Sequence, residues 1–108
     1  DTPGNDPSSV AAMVAGGAQV VLFSTGRGTP TGNPVAPIIK LTANPQTYAG
    51  MSDNIDVDAS MLLTEPERMS ELADTLVAEV AATASGKLTK SEALGYTEMA
   101  IARVCNYV

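Results

Sequence analysis

The chain has 108 residues, a length that fits one domain or one piece of a larger one. Its net charge of −6, with six basic residues placed singly, leaves no cationic stripe for a phosphate backbone and argues against nucleic-acid binding. There is no His and only one Cys, so a catalytic triad, a zinc site and an internal disulfide cannot be built from these residues alone.

No apolar run approaches the roughly 18–20 residues that span a bilayer, so no membrane segment is expected. Hydrophobic residues make up 44%, enough for one modest core, while aromatic residues are only 4%. Ala, Val, Leu and Met must therefore fill the interior, as where helices pack closely on a sheet. The opening DTPGNDPSSV has neither a charged n-region nor an apolar h-region, and no initiator Met. Such a start is expected of a fragment or of mature material. The lone Cys105 suits a reducing cytoplasm.

In chain order, Asp6-Pro7 predicts an N-cap followed by Pro at N1, with a helix over 7–15 that Gly16-Gly17 stops. Gln19–Phe23 and Pro37–Leu41 are short, β-branched and apolar almost without alternation. That pattern predicts two strands covered on both faces, as in a parallel sheet. Asn44-Pro45 repeats the cap and predicts a short helix to about Gly50.

Thr64-Glu65-Pro66-Glu67 reads as a capping box that opens the longest helix. Met69, Leu72, Ala73, Leu76, Val77, Val80, Ala81 and Ala84 keep helical spacing and form its expected core face, with Gly86 past its end. Glu71, Asp74, Glu79 and Ser85 form the expected solvated face. Thr89-Lys90-Ser91-Glu92 is a second capping box, and its helix ends at Gly95. The result is an α/β arrangement with two short strands and three to four helices. Two parallel strands are a poor domain alone, so the chain is expected to complete a larger sheet or to fold marginally.

The stretch FSTGRGTPTGNPVAP, residues 23–37, follows directly from the first strand. Loops at strand C-termini are where α/β sheets bind ligands. Gly26, Gly28 and Gly32 allow bare backbone N–H groups to line an anion site. Arg27 offers a planar fork for a carboxylate. Ser24, Thr25, Thr29 and Thr31 add hydroxyls, and Pro30, Pro34 and Pro37 stiffen the loop. This chemistry suits a small polyhydroxylated anion; a plain connector with a salt-bridged Arg fits the composition equally well. A P-loop does not, because no Gly-Lys-Ser/Thr is present.

Lys40 interrupts an apolar strand. Its stem either snorkels at the strand end or projects into a site, and its closeness to the loop favours the site. Asp53, Asp56 and Asp58 form a crowded oxygen cluster of the kind that holds Mg2+ or Ca2+, but they lack the Gly and terminal Glu of a calcium loop, and solvated turn carboxylates are the favoured reading. Met61, Met69 and Met99 read as core, and Cys105, within IARVCNYV, as a buried thiol.

Asp1–Gly4, Ala15–Gly17, Ser24–Gly28, Ile39-Lys40, Asn44–Tyr48, Asp56–Ala59 and Ala84–Glu92 together resemble the C-terminal part of the altronate and galactarate dehydratase family. The family shows DTPG, AGG, a TTGRG loop, an IK strand, an Asn-Thr-x-x-Tyr helix, an acidic D-x-D-x-x-A stretch and an ASGK-x-TKSE tail. The resemblance runs to about Gly95. Ser24 stands where the family often has Thr, and GYTEMAIARVCNYV differs from the Phe- and Trp-bearing ends of those enzymes. The same superfamily includes the large subunit of sulfolactate sulfo-lyase.

The resemblance implies that residues 1–108 are a C-terminal piece of the catalytic α/β domain, Rossmann-like with a parallel sheet. It implies a lyase that takes a proton α to a carboxylate and expels a β leaving group, water or sulfite. A divalent metal, Fe2+ in the full-length enzyme, is implied as cofactor, with its ligands upstream of this chain. Thr25, Gly26, Arg27, Gly28 and Thr29 are then the expected substrate-binding residues, and Lys40 the expected base or electrostatic group. The expected partners are a small hydroxy-acid substrate and further copies of the full-length protein, in the cytoplasm. A non-catalytic domain that binds a small anion or a protein is the alternative from another class.

Overall fold

A computed structural model describes residues 4–101 of the chain. The expectation for Cys105, and the first three residues of the DTPG motif, lie outside the described residues. The first helix, α1 (Asp6–Ala15), begins one residue earlier than the sequence suggests. Its N-cap is Asn5, in extended backbone and without a side-chain cap, so Asp6 acts within the first turn instead. There its charge still favours the positive helix end. Gly17 takes φ 103° just beyond Gly16, the left-handed turn that ends the helix.

Strand β1 (Val21–Ser24) pairs in parallel with β2 (Ile38–Thr42), placing Val21 opposite Ile38 and Phe23 opposite Lys40. A third strand, β3 (Val57–Asp58), also runs parallel to β2, with Leu41 opposite Val57. The order is β1-β2-β3, one strand more than the sequence reading expected. Parallel neighbours need a long crossover. Between β1 and β2 no helix supplies it, so the Gly- and Pro-rich loop does.

The central strand β2 separates two apolar clusters. On one face Val10 of α1 packs with Val21 and Ile38. On the other, Ile39 and Val57 meet Ala59 and Leu72. That second layer comes from α3 (Met69–Ala84), through Leu72, Leu76 and Val80. β2 is covered on both faces, as its run of apolar residues predicts. β1 is not: Leu22 is 51% exposed at the sheet edge.

The start of α3 departs from the expected capping box. Thr64 donates its hydroxyl to the Met61 carbonyl at 3.3 Å and closes a 3-10 turn over Ser60–Leu63. A second 3-10 turn, Pro66–Arg68, precedes the helix, and no side chain caps it. The local charges are used differently. Arg68 forks onto Glu71, at 2.6 and 2.8 Å, and that hydrogen-bonded pairing holds the Glu71 carboxyl below the usual range. The expected core face also narrows. Leu72 is buried, but Ala73, Ala81 and Ala84 are exposed, as are Met69 at 58% and Val77 at 70%. Met99 is exposed as well, against its reading as core.

Helix α2 (Pro45–Gly50) starts as expected: Asn44 Oδ1 accepts from the amides of Gln46 and Thr47. Helix α4 (Lys90–Ala93) carries the full capping box between Thr89 and Glu92. Its Lys90 ammonium donates to the carbonyls of Ser52 and Ile55, at 2.6 and 2.7 Å, and lies over the Tyr48 ring. Beyond α4 the chain crosses the second half of the long loop. The Tyr96 carbonyl sits where a Cβ on Gly32 would stand, so the two backbones touch. Thr29, Thr31, Gly32 and Asn33 are buried beneath this crossing.

Candidate functional site

At the C-terminal ends of β1 and β2 the structure opens a cleft of about 770 Å3. Its rim is polar: Ser24, Thr25 and Gly26 from the loop after β1, with Thr42, Asn44 and Gln46 after β2. Its apolar lining comes from Leu41, Ala59, Leu62 and Leu72, with the exposed Leu63 beside them. The position is the one where open α/β sheets bind ligands, because adjacent strand ends leave their loops free to diverge.

The loop is folded on itself and on α2. The Gly28 amide donates to Thr25 Oγ1 at 3.0 Å, a tight turn with Gly28 at φ 87°. A Cβ on Gly28 would collide with Met51 Sδ of the turn after α2, so the backbone there lies directly against that turn. The Gly26 carbonyl accepts from Asn44 Nδ2 at 3.2 Å and from Thr47 Oγ1 at 2.8 Å. The amides of Gly26 and Arg27 donate to nothing among the described residues.

Five expected binding residues thus separate into different roles. Thr25 and Gly26 line the cleft. Arg27 is exposed beside them, with no hydrogen-bond or ion-pair partner among the described residues. Gly28 spends its amide within the loop. Thr29 is buried, and its hydroxyl meets that of Thr31 at 2.8 Å.

Lys40 does not line the cleft. It shares the α1 face of β2 with Ile38 and is 0% exposed, so its stem does not snorkel to solvent. Its Nζ has no hydrogen-bond partner among the described residues. Burial pushes the ammonium below the usual lysine range; the carboxylates of Asp56 and Glu98 pull the other way without offsetting it.

The acidic stretch also divides. Asp53 and Asp58 are exposed, and Asp58 Oδ1 accepts the Ser60 amide at 2.9 Å. Asp56 is half-buried and structural rather than solvated: Oδ2 accepts the Lys40 amide and Oδ1 the Lys90 amide, each at 2.8 Å. Among the described residues no three His, Cys, Asp or Glu side chains are grouped to hold a metal ion. These residues therefore do not by themselves build a site for the divalent metal, whose ligands the resemblance places upstream.

Sequence reasoning missed Asn44 and Thr47 as part of the site. Their signal was present in the topology: in a parallel pair, the loops leaving β1 and β2 emerge side by side at the same sheet edge.

Comparison with known proteins decides the family. The model described as D-galactarate/Altronate dehydratase, C-terminal, matches residues 1–106. The chain belongs to the D-galactarate/altronate dehydratase family. This dehydratase-family chain is similar to the (2R)-sulfolactate sulfo-lyase subunit beta of Chromohalobacter salexigens, 41% identical over 92% of the chain and 27% of the relative. It is also similar to the altronate dehydratase of Escherichia coli, 39% identical over 92% of the chain and 20% of the relative. The altronate dehydratase of Bacillus subtilis is 35% identical, with the same two shares. The chain therefore spans between a fifth and about a quarter of the length of these curated relatives. No helix among the described residues is long and apolar enough to cross a membrane.

Proposed function

We propose that this chain is the acid-binding piece of a lyase that acts on a small hydroxy acid. A base takes the proton α to the carboxylate. The electron pair left behind forms the carbon–carbon double bond as the β substituent departs, and the resulting enol becomes a 2-keto acid. When the leaving group is hydroxide, it departs with a proton as water. The observation that carries the reading is the family match over residues 1–106.

In this reading Arg27 pairs its guanidinium with the substrate carboxylate and with the negative charge that develops on it as the proton is lost. Its free amide and that of Gly26 assist. Thr25 orients a substrate hydroxyl at the rim. No group lining the cleft titrates near neutral pH, so this chain supplies binding and orientation, and the α-proton is removed by a group elsewhere in the enzyme. By itself the chain is then inactive. A divalent metal such as Fe2+ likewise takes its ligands from outside the described residues. Lys40, held under the sheet, acts on the site through charge rather than contact.

The leaving group is water for an altronate- or galactarate-type acid. Sulfite is the second reading, favoured by the 41% identity to a sulfo-lyase subunit. Incubating the complete enzyme with Fe2+ and altronate, galactarate or sulfolactate separates the two. Formation of a keto-deoxy acid supports the hydro-lyase, and release of sulfite the sulfo-lyase. Turnover of none of the three contradicts the proposal.

A further inference from the structure

We propose that Asn44 and Thr47 are positioning residues that aim Arg27 by clamping the carbonyl of Gly26. The inference rests on the reading of the loop as the element that binds the acid.

The Gly26 carbonyl receives two donors, Asn44 Nδ2 at 3.2 Å and Thr47 Oγ1 at 2.8 Å, which together occupy both of its lone pairs. All described peptide bonds are trans. In a trans peptide the C=O and the next N–H point in opposite directions. Fixing the Gly26 carbonyl on α2 therefore turns the Arg27 N–H away from α2, where it meets no acceptor among the described residues. The clamp sets the direction of a free donor and of the Cα from which the guanidinium extends. One side of the turn is closed by Thr25 Oγ1 holding the Gly28 amide. The other is closed by Met51 against Gly28, where no side chain fits. What the loop leaves to a ligand is a free backbone amide and an exposed guanidinium on one residue, donors of the kind that a carboxylate's two oxygens accept from.

Asn44 has two jobs that one substitution separates. Its Oδ1 caps α2, and its Nδ2 holds the loop. Asp is as good an N-cap as Asn but has no N–H to give. Asn44→Asp therefore preserves the helix and turns the tether into a repulsion between oxygens. Thr47→Val removes the second donor at nearly constant shape, and Thr47→Ser keeps it.

The test uses the complete enzyme carrying Asn44→Asp with Thr47→Val. Because the cap is preserved, the unfolding midpoint is expected to stay within about 2–3 °C of the parent. Deuterium uptake across residues 24–28 is expected to quicken about tenfold. kcat/KM is expected to fall about 10- to 100-fold, through loss of the aimed geometry. Asn44 with Thr47→Ser is expected to retain parental values in both readouts. Unchanged uptake, or kcat/KM within about twofold of the parent, overturns the proposal. Arg27→Ala in the same enzyme separates the two levels. If it lowers kcat/KM while the double variant does not, the positioning role falls and the loop reading stands. If Arg27→Ala is itself silent, the loop reading falls and takes the positioning role with it.

Discussion

Asp56 and Lys40 are joined twice through the backbone of Lys40: its N–H donates to Asp56 Oδ2 at 2.8 Å, and its carbonyl accepts the Asp56 N–H at 2.9 Å. The second carboxylate oxygen takes the Lys90 amide, so one side chain ties β2 to the approach of β3 and to α4. Asp56→Asn replaces one oxygen by an NH2 that faces a backbone N–H. The expected cost is about 1–3 kcal/mol, seen as a lower unfolding midpoint. An unchanged midpoint would mean that the carboxylate is as solvated as its sequence neighbours suggest.

Lys40 makes a prediction of opposite sign. Burial lowers its folded-state pKa, so between that value and about 10.4 the unfolded chain holds a proton that the folded chain has lost. Stability therefore rises with pH across that window, and the penalty is fully present below it. Lys40→Met is expected to stabilise the domain at pH 7 by on the order of 1–3 kcal/mol, with the gain shrinking toward pH 10. Unfolding midpoints at the two pH values check this, and a destabilised variant at pH 7 contradicts it.

Three glycines should respond differently to Ala. At Gly26 a Cβ meets nothing within 4 Å and φ is not positive, so Gly26→Ala is expected to be nearly neutral for stability. Gly28→Ala must move Met51 and adopt an unfavourable φ. Gly32→Ala must push away the backbone of Tyr96. Each of these two is expected to cost about 1–3 kcal/mol in thermal or denaturant unfolding.

The outer stripe of α3, with Met69 and Val77, and Leu22 at the β1 edge are apolar and uncovered by the described residues. We expect the isolated chain to self-associate through them. Light scattering should report assemblies that Leu22→Lys with Val77→Glu reduces. A clean monomer at high concentration goes against this.

These outcomes also mark what was legible in the sequence. The parallel pair β1 and β2 followed from apolar runs, and α2 and α4 from caps whose donors and acceptors lie within three residues. Strand β3 has two residues, too few to show a period, and its acidic neighbours read as a turn. The Thr64 box failed because the same hydroxyl had a nearer acceptor, the Met61 carbonyl. The core face of α3 was read too wide because spacing shows which residues share a face, not how much of that face a partner covers. The tether from Asn44 to Gly26 joins positions 18 residues apart, beyond any local signal, though the parallel topology puts the two loops together. Asp56 was missed for the same reason, since its partners are 16 and 34 residues away.

The role of Arg27 is tested most directly by kcat/KM of Arg27→Ala in the complete enzyme, on whichever of altronate, galactarate or sulfolactate the parent turns over. The guanidinium is exposed and touches no partner among the described residues, so the fold should not notice its loss. A fall of about 10²–10³-fold with an unchanged unfolding midpoint is the predicted result. Activity within about twofold of the parent would contradict the account and reduce the loop to a crossover between two strands.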